Sequence, residues 1–350
     1  MSGSSVEVGF TDALNNPLLF SPEHFPSKIG GHPAWLNPAN LPSVPICTIC
    51  GDPLVFFSQI YAGLDRPSNG FHRTLYVFLC RRGSCYTDNK QPVRVFRCQL
   101  PADNPFYGLQ PVPEGDADVN DIGENKSFAQ SHNGYTNICG VCGCKAPLKC
   151  SKCQSAHYCS KSHQKYDWHE HKLNCKDQTA SQNKPVHLSK SSLLFKEFDI
   201  IIEREKEKEN VEIDPEELAR IQNSSDAYQI SGKDAESLSK EYGKDSDPTF
   251  TKFKERISRD PSQILRYARH DTPLWPVSTA QCSAAPPCGV CKAPRSFEVQ
   301  FLPTLLYLLG VGKEKEDMDW ATLVLFTCSK DCEVEEYVEE FAWTQTYPTG

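Results

Sequence analysis

Seventeen cysteines constrain the fold of this 350-residue chain more than any other feature of its sequence. Cysteines in such number form disulfides or metal sites, and the redox compartment decides between the two. The opening residues, MSGSSVEVGF, lack the basic region and apolar block of a secretion signal. Because several cysteines form C-x2-C pairs near histidines, the sequence predicts zinc sites rather than disulfides.

The central cysteine-rich block spans residues 138–176 and contains eight candidate zinc ligands. They are Cys139, Cys142, Cys150, Cys153, Cys159, His163, His171 and Cys175. Eight ligands suffice for two tetrahedral sites, the geometry that structural zinc adopts. Their order predicts crossed pairing, with one ion bound by Cys139, Cys142, Cys159 and His163, and the other by Cys150, Cys153, His171 and Cys175. Protein atoms would then fill every position, which argues against metal-assisted hydrolysis.

This block resembles the MYND zinc finger in every spacing, and it carries the neighbouring residues Tyr158, Ser160, Asp167 and Trp168 that are typical of that family. The resemblance implies a protein-recognition module, commonly for proline-containing peptides. Six lysines against two acids make its surface mildly basic. Two interpretations of that surface stay open, a solvated face and a contact with nucleic acid.

Two further cysteine sets flank the central block, one in each half of the chain. The sets are Cys47, Cys50, Cys80 and Cys85, and Cys288, Cys291, Cys328 and Cys332. Each set predicts a four-thiolate, zinc-ribbon-like site with one zinc ion.

His72 and the three remaining cysteines lie outside these sets. His72 is an alternative ligand of the first ribbon-like site, although a packing role fits it as well. Cys98 lies in a strand pattern and is predicted to be a core thiol. Cys144 is predicted to neighbour the metal, and Cys282 has no predicted role.

The two halves of the chain repeat an order of motifs. Trp35 precedes its C-x2-C pair by 12 residues and Trp275 precedes the other pair by 13. Strands are predicted at the apolar runs 55–57, 75–79, 93–96 and 323–326. The predicted fold class is α+β, with a duplicated β-rich core, two zinc-ribbon-like sites and an inserted, cross-braced MYND finger. Two independent ribbons whose spacings agree by chance are the alternative.

Composition divides the chain into five segments. They are 1–101, the N-terminal half of the core; 102–137, an acidic linker; 138–176, the finger; 177–246, a charged and partly disordered insert; and 247–350, the C-terminal half. Asp-Pro at 247–248 and at 260–261 predicts two helix starts, because Asp caps a helix and Pro suits its first position. A helix against the core is also compatible with the spacing of Phe195, Phe198 and Ile202.

Nearly the whole chain resembles the programmed cell death protein 2 family. The matching pieces include residues 25–31, Trp35-Leu36, Phe71-His72-Arg73, 97–101, the finger, 263–267, Leu274-Trp275, 297–300 and Asp319-Trp320. The resemblance implies a non-enzymatic escort of a newly made small-ribosomal-subunit protein, the counterpart of the bacterial S-five family, into 40S assembly. It also implies roles as a nuclear cofactor, in stem-cell maintenance and in cell death, and a location in cytoplasm and nucleus.

Charge and motif content are compatible with that role. A net charge of −8 suits a basic ribosomal protein as partner and argues against direct nucleic-acid binding. The segment 197–217, with ten acids and three bases, is a candidate contact for such a client, and a solvated linker is the alternative interpretation. No apolar run approaches the length of a membrane span. The sequence has no Asn-His-Ser-Cys motif, phosphate loop or Gly-x-Ser-x-Gly elbow, so we expect no enzyme activity. The competing function is a nuclear adaptor that recruits corepressor peptides through the finger.

Overall fold

The computed structural model describes residues 6–12, 17–65, 68–86, 91–107, 137–175, 192–206, 247–312, 316–334 and 336–347. Most of the described chain is β-structure. The strands are β1 (Glu7–Asp12), β2 (Lys28–Ile29), β3 (Val55–Tyr61), β4 (His72–Leu79), β5 (Val93–Leu100), β6 (Leu148–Lys149), β7 (His157–Tyr158), β8 (Phe198–Arg204), β9 (Leu265–Tyr267), β10 (Arg295–Phe301), β11 (Thr322–Cys328) and β12 (Val338–Gln345). The helices are α1 (Lys161–Asn174), α2 (Pro248–Ile257) and α3 (Thr304–Leu309).

Ten of the strands form one closed antiparallel barrel in the order β1-β8-β2-β3-β4-β5-β12-β11-β10-β9, and β9 pairs back onto β1. The predicted β-rich core is therefore confirmed, while helices are few. The N-terminal and C-terminal halves meet directly where β5 pairs with β12. Both halves thus belong to a single barrel. In the part of the chain that the structure describes, no helix has the length and apolar character needed to cross a membrane.

The four predicted strands lie within β3, β4, β5 and β11. Their β-branched and aromatic residues suit a pleated, buried surface. Every residue of β4 is buried, because one face points into the barrel and the other lies under a layer that contains Trp35. Strands buried on both faces lose the polar alternation of an exposed sheet.

The helix suggested at Phe195, Phe198 and Ile202 is wrong, because this segment contains barrel strand β8. Strand β8 pairs with all six residues of β1 and with both residues of β2. Its run of isoleucines favours strand over helix. The residues Gly30 and Gly31, both with positive φ, let this segment approach, since a Cβ on Gly30 would overlap the carbonyl oxygen of Lys196.

The predicted segment boundaries also need one correction. Residues 192–206 lie inside the predicted insert 177–246, yet they complete the barrel. The rest of that insert, and residues 108–136 of the predicted linker, lie outside the described residues.

One of the two predicted helix starts is correct. The Asp247 carboxylate accepts a hydrogen bond from the backbone of Thr249 at the start of α2. The start at Asp260 is wrong, because a turn leads from it into β9. The side chain of Asp260 pairs with Lys206, and the Gln263 amide donates to the Asp260 carbonyl, which closes the turn. Asp260 therefore does not cap a helix.

The barrel interior is a filled core that joins the two halves. The Phe57 ring lies 5.4 Å from Phe301 and 5.6 Å from Trp320, measured between centroids. Arg73 on β4 and Glu298 on β10 form a bidentate ion pair with N···O distances of 2.5 and 2.7 Å, and both side chains are fully buried. Because β4 and β10 are not neighbours in the barrel, this pair spans the interior.

The two halves contribute strands in the same way. Strands β2 to β5 form one four-stranded meander and β9 to β12 form another. The second strand of each meander carries a bulge, between Phe56 and Ser58 in one half and between Phe297 and Val299 in the other. A bulge at matching places bends both sheets alike.

Candidate metal centres

The structure brings the sixteen predicted ligands together in the four predicted sets. Within each set the candidate ligand atoms all lie within 4.8 Å of one another. The sets are Cys47, Cys50, Cys80, Cys85; Cys139, Cys142, Cys159, His163; Cys150, Cys153, His171, Cys175; and Cys288, Cys291, Cys328, Cys332. In the finger, the side chains therefore cluster in the crossed pairing that the sequence predicts.

Distances within the clusters fit tetrahedral zinc. A Zn–S bond of about 2.3 Å implies a sulfur–sulfur separation of about 3.8 Å at a tetrahedral ion. The sulfur pairs lie 3.5 to 3.9 Å apart: Cys47–Cys85, Cys50–Cys80, Cys142–Cys159, Cys150–Cys175, Cys288–Cys332 and Cys291–Cys328. Thiolate and imidazole are the donors that zinc prefers in structural sites. The four clusters indicate zinc binding.

All four C-x2-C pairs adopt one backbone conformation. The residue after the second cysteine has a positive φ in every case: 78° at Gly51, 68° at Gly143, 59° at Gln154 and 61° at Lys292. Its backbone N–H donates to the carbonyl of the first cysteine at 2.9 to 3.0 Å. This tight turn aims both sulfurs of a pair at one point. The ribbon-like sites thus share the local geometry of the finger.

His72 is not part of a cluster. Its ring stacks on Phe25 with centroids 4.2 Å apart, and Nδ1 lies 3.1 Å from the Tyr61 hydroxyl. Burial lowers the pKa of His72, as expected for a packed neutral ring. The packing interpretation of His72 agrees with this placement.

The three other cysteines also have places in the fold. Cys98 is a buried core thiol on β5, and burial raises its pKa to about 12. Cys144 is buried beside the first finger site. Cys282 is half-buried and packs against the small apolar cluster that contains Phe297 and Val324.

The finger is built on a short hairpin, β6 and β7, followed by helix α1. The Ser160 hydroxyl accepts from the backbone of His163 and caps α1. The Tyr158 hydroxyl donates to Asp167 at 2.6 Å and holds the helix against the hairpin. Helix α1 carries His163 and His171, one for each zinc cluster.

The finger packs directly on the N-terminal half of the barrel. The Trp35 indole N–H donates to the Gly143 carbonyl at 2.8 Å, in a fully buried contact. His32 Nε2 lies 3.1 Å from the Val141 carbonyl. Burial lowers the pKa of His32 to about 4, so its neutral ring donates this hydrogen bond at pH 7. Neither contact could be predicted from the sequence, since 108 residues separate Trp35 and Gly143.

Replacing Gly143 with alanine is expected to weaken this contact. Gly143 and Gly51 both have positive φ, so alanine costs about 1–2 kcal/mol at either position. Only at Gly143 would the new Cβ crowd a neighbour, 3.2 Å from His32 Cβ and 3.3 Å from Pro33 Cδ, whereas Gly51 has open space. Urea unfolding should show a larger loss for Gly143→Ala than for Gly51→Ala. Equal losses would contradict the docked arrangement.

The C-terminal cluster is linked to the barrel interior by buried charges. The Arg97 guanidinium donates to the Cys332 carbonyl at 3.1 Å and lies 3.5 Å from the Cys332 sulfur. Arg97 also pairs with Glu340 at 2.7 Å, with both side chains fully buried. Because Arg97 lies on β5, the metal loop of one half is held by a strand of the other. The sequence did not predict the Arg97–Glu340 pair or the Arg73–Glu298 pair, although both arginines lie in segments that resemble the family.

The fold and its four clusters define a class: a zinc-binding protein in which a MYND finger packs on a closed β-barrel. Family models match at residues 5–114 (Programmed cell death protein 2, N-terminal domain), 139–175 (MYND finger) and 247–346 (Programmed cell death protein 2, C-terminal putative domain). The chain belongs to the programmed cell death protein 2 family.

Relatives cover almost the whole chain. Programmed cell death protein 2 of Bos taurus is 40% identical over 353 residues, which is 98% of this chain and 97% of the relative. The human Programmed cell death protein 2-like protein is 28% identical over 338 residues, 92% of this chain and 90% of the relative. A Schizosaccharomyces pombe protein, Probable 20S rRNA accumulation protein 4, is 38% identical over 96 residues, 24% of this chain and 23% of the relative. No solved structure matches.

Proposed function

We propose that this protein is a non-enzymatic, zinc-dependent chaperone that escorts a newly made, basic protein of the small ribosomal subunit, of the S-five family, into 40S assembly. Two observations carry the proposal. The family relationship spans both halves of the barrel, and a shorter match is to a fission-yeast protein named for 20S rRNA accumulation. Escort of such a client fits an acidic chain of net charge −8. We propose cytoplasm and nucleus as the place of this activity.

We assign a structural role to the metal. Each of the four clusters supplies four side-chain ligands, so one zinc ion per cluster would leave no position for water or substrate. Zinc in such sites stabilises the fold and does not catalyse reactions. This assignment supports a protein without enzymatic activity.

We also propose that the two meanders arose by duplication. The matched bulges and the matched order of strands support it. The filled interior indicates that a client would bind an outer surface and not a channel between the halves.

The acidic segment 197–217 supplies only part of a client contact. Glu197 pairs with the buried Lys28, and Glu205 pairs with Arg256 and Arg266. These two acids stabilise the barrel, while Glu203 is exposed. The acids beyond Lys206 lie outside the described residues and remain the candidates for binding the client.

A cell-free translation assay tests the escort function. The S-five-family protein is synthesised with and without the full-length chain, and its soluble, co-purifying fraction is measured. We expect the chain to raise this fraction, and exchange of Glu203, Glu207, Glu209 and Glu212 for glutamine to reduce the effect, most clearly at low salt. No gain in soluble client with the wild-type chain would overturn the proposal.

The second candidate function is a nuclear adaptor that binds corepressor peptides through the finger. The observation in its favour is the outer face of α1, where Trp168 and Leu173 are 47% and 76% exposed. Deleting 139–175 is a poor test of either function, because it would also uncover Trp35. The substitution Trp168→Ala leaves the docked face intact. Binding of a proline-containing corepressor peptide that this variant loses, while it still captures the ribosomal client, would favour the adaptor function.

A further inference from the structure

A Pro-x-Trp segment is held in the same way in both halves of the barrel. The Ala34 backbone N–H donates to Gln59 at 2.8 Å, and the Leu274 backbone N–H donates to Gln300 at 2.9 Å. Each glutamine follows the bulge of its strand. The tryptophan that comes next in each half, Trp35 or Trp275, therefore takes a corresponding place on the outside of its sheet.

The two tryptophans differ in what covers them. Trp35 is 1% exposed, and its indole N–H is bound by a carbonyl of the finger. Trp275 is half-buried, and its indole N–H has no hydrogen-bond partner among the described residues. The finger thus covers the surface around Trp35 in the N-terminal half, while the corresponding surface around Trp275 in the C-terminal half is uncovered among the described residues.

The uncovered surface around Trp275 forms a groove of about 510 Å³ between α2 and the loop that leads to Trp275. Its apolar floor includes Leu274, Trp275 and Phe297. We call it the Trp275 groove. Its volume falls within the roughly 300–1,000 Å³ of binding clefts.

The polar wall of the Trp275 groove is cationic. Lys252, Arg256 and Arg266 line it, against a single carboxylate, Asp271. The two arginines share one buried partner, Glu205. Lys252 is exposed and has no ion-pair partner among the described residues. A cationic groove on a chain of net charge −8 calls for an acidic occupant.

We propose that the Trp275 groove binds an acidic, glycine-containing segment of a partner protein. A backbone carbonyl of the segment accepts from the Trp275 indole, as the Gly143 carbonyl does from Trp35. A glycine permits close approach to Pro273, as Gly143 does at Pro33. An Asp or Glu side chain pairs with Lys252. The Trp275 groove is separate from the client-binding surface, since the client of the proposed function is basic.

Selection from a phage-displayed library of random 12-residue peptides on the full-length, zinc-loaded chain tests the proposal. We expect enrichment of peptides with an acidic residue and a glycine. Lys252→Glu should weaken their binding about tenfold at low salt. Trp275→Phe, which keeps an aromatic ring of smaller size and removes the indole N–H, should weaken it several-fold. Lys254→Glu is the matched control, because Lys254 is exposed on the same helix and lies over Phe250, outside the groove.

Several outcomes would overturn the proposal: no enrichment, enrichment of peptides without acids, or equal binding by all variants. Enrichment only after residues 207–246 are replaced by a Gly/Ser linker would assign the groove to the chain's own acidic residues instead of a partner. Capture of the ribosomal client by Lys252→Glu and Trp275→Phe is measured in parallel. Variants that lose peptide binding but still capture the ribosomal client would show that the Trp275 groove acts separately from the proposed function.

Discussion

Replacing Arg73 with methionine is expected to lower the free energy of unfolding by about 3–5 kcal/mol, because the buried Glu298 carboxylate loses its bidentate partner. Its other cation, Arg269, lies farther away, at 3.8 Å. Burial alone would raise the pKa of Glu298, but Arg73 above all, with Arg269 and the Thr327 hydroxyl, lowers it to about 2. The carboxylate is therefore charged at pH 7 and needs its partner. Urea unfolding monitored by circular dichroism measures the loss.

A matched control separates burial from charge. Arg94 on β5 forms a more exposed pair with Glu339, at 3.3 Å, and Arg94→Met should cost less than about 1 kcal/mol. The double variant Arg73→Met with Glu298→Met should recover much of the stability, since both members of the pair are removed and the remaining charges, Arg269 and Asp331, still pair with each other. An equal cost for Arg73→Met and Arg94→Met would show that the halves are not joined through this pair.

The substitution Cys328→Ser is expected to unfold the barrel in both halves. The free energy of zinc binding is about 10–16 kcal/mol in zinc-finger peptides. This matches or exceeds the free energy of unfolding of a typical domain, about 5–15 kcal/mol. Cys328 ends β11, and the neighbouring Cys332 is held by Arg97 of β5. Loss of this site should therefore release β5 as well as β11 and β12.

Hydrogen exchange with mass spectrometry measures this loss, strand by strand. Protection should fall in β5, β11 and β12, and the zinc content should fall by one ion per chain. Cys282→Ser is the control, because Cys282 lies in no metal cluster. Lost protection confined to residues 286–332 would contradict the coupling between the metal loop and the N-terminal half.

Short sequence patterns were sufficient to predict the metal-ligand sets and the most apolar strands, because neighbouring residues determine both. The ligand sets follow from spacing, since a C-x2-C turn places two sulfurs on one ion whatever surrounds it. Gly51 and Gly143, directly after their pairs, were a further signal of that turn. The strands around 75–79 and 323–326 are apolar enough to be recognised without tertiary context.

Features that depend on distant residues could not be predicted in this way. Strand β8 lies within the charged stretch 177–246, where its isoleucines are a weak signal, and its pairing with β1 and β2 fixes it as a strand. The contact of Trp35 with Gly143 joins residues that no local pattern connects. The Arg73–Glu298 pair, 225 residues apart, is of the same kind. Tertiary pairing overrides local propensity in each case.

The metal content of the intact chain tests the central claim, that four closed zinc sites hold one barrel. Native mass spectrometry of the zinc-loaded, full-length protein should give four zinc ions per chain. X-ray absorption should show only sulfur and nitrogen neighbours, from the fourteen cysteines and two histidines of the clusters. Fewer than four ions, or an oxygen neighbour at full loading, would contradict the account, because an open position would allow a catalytic metal.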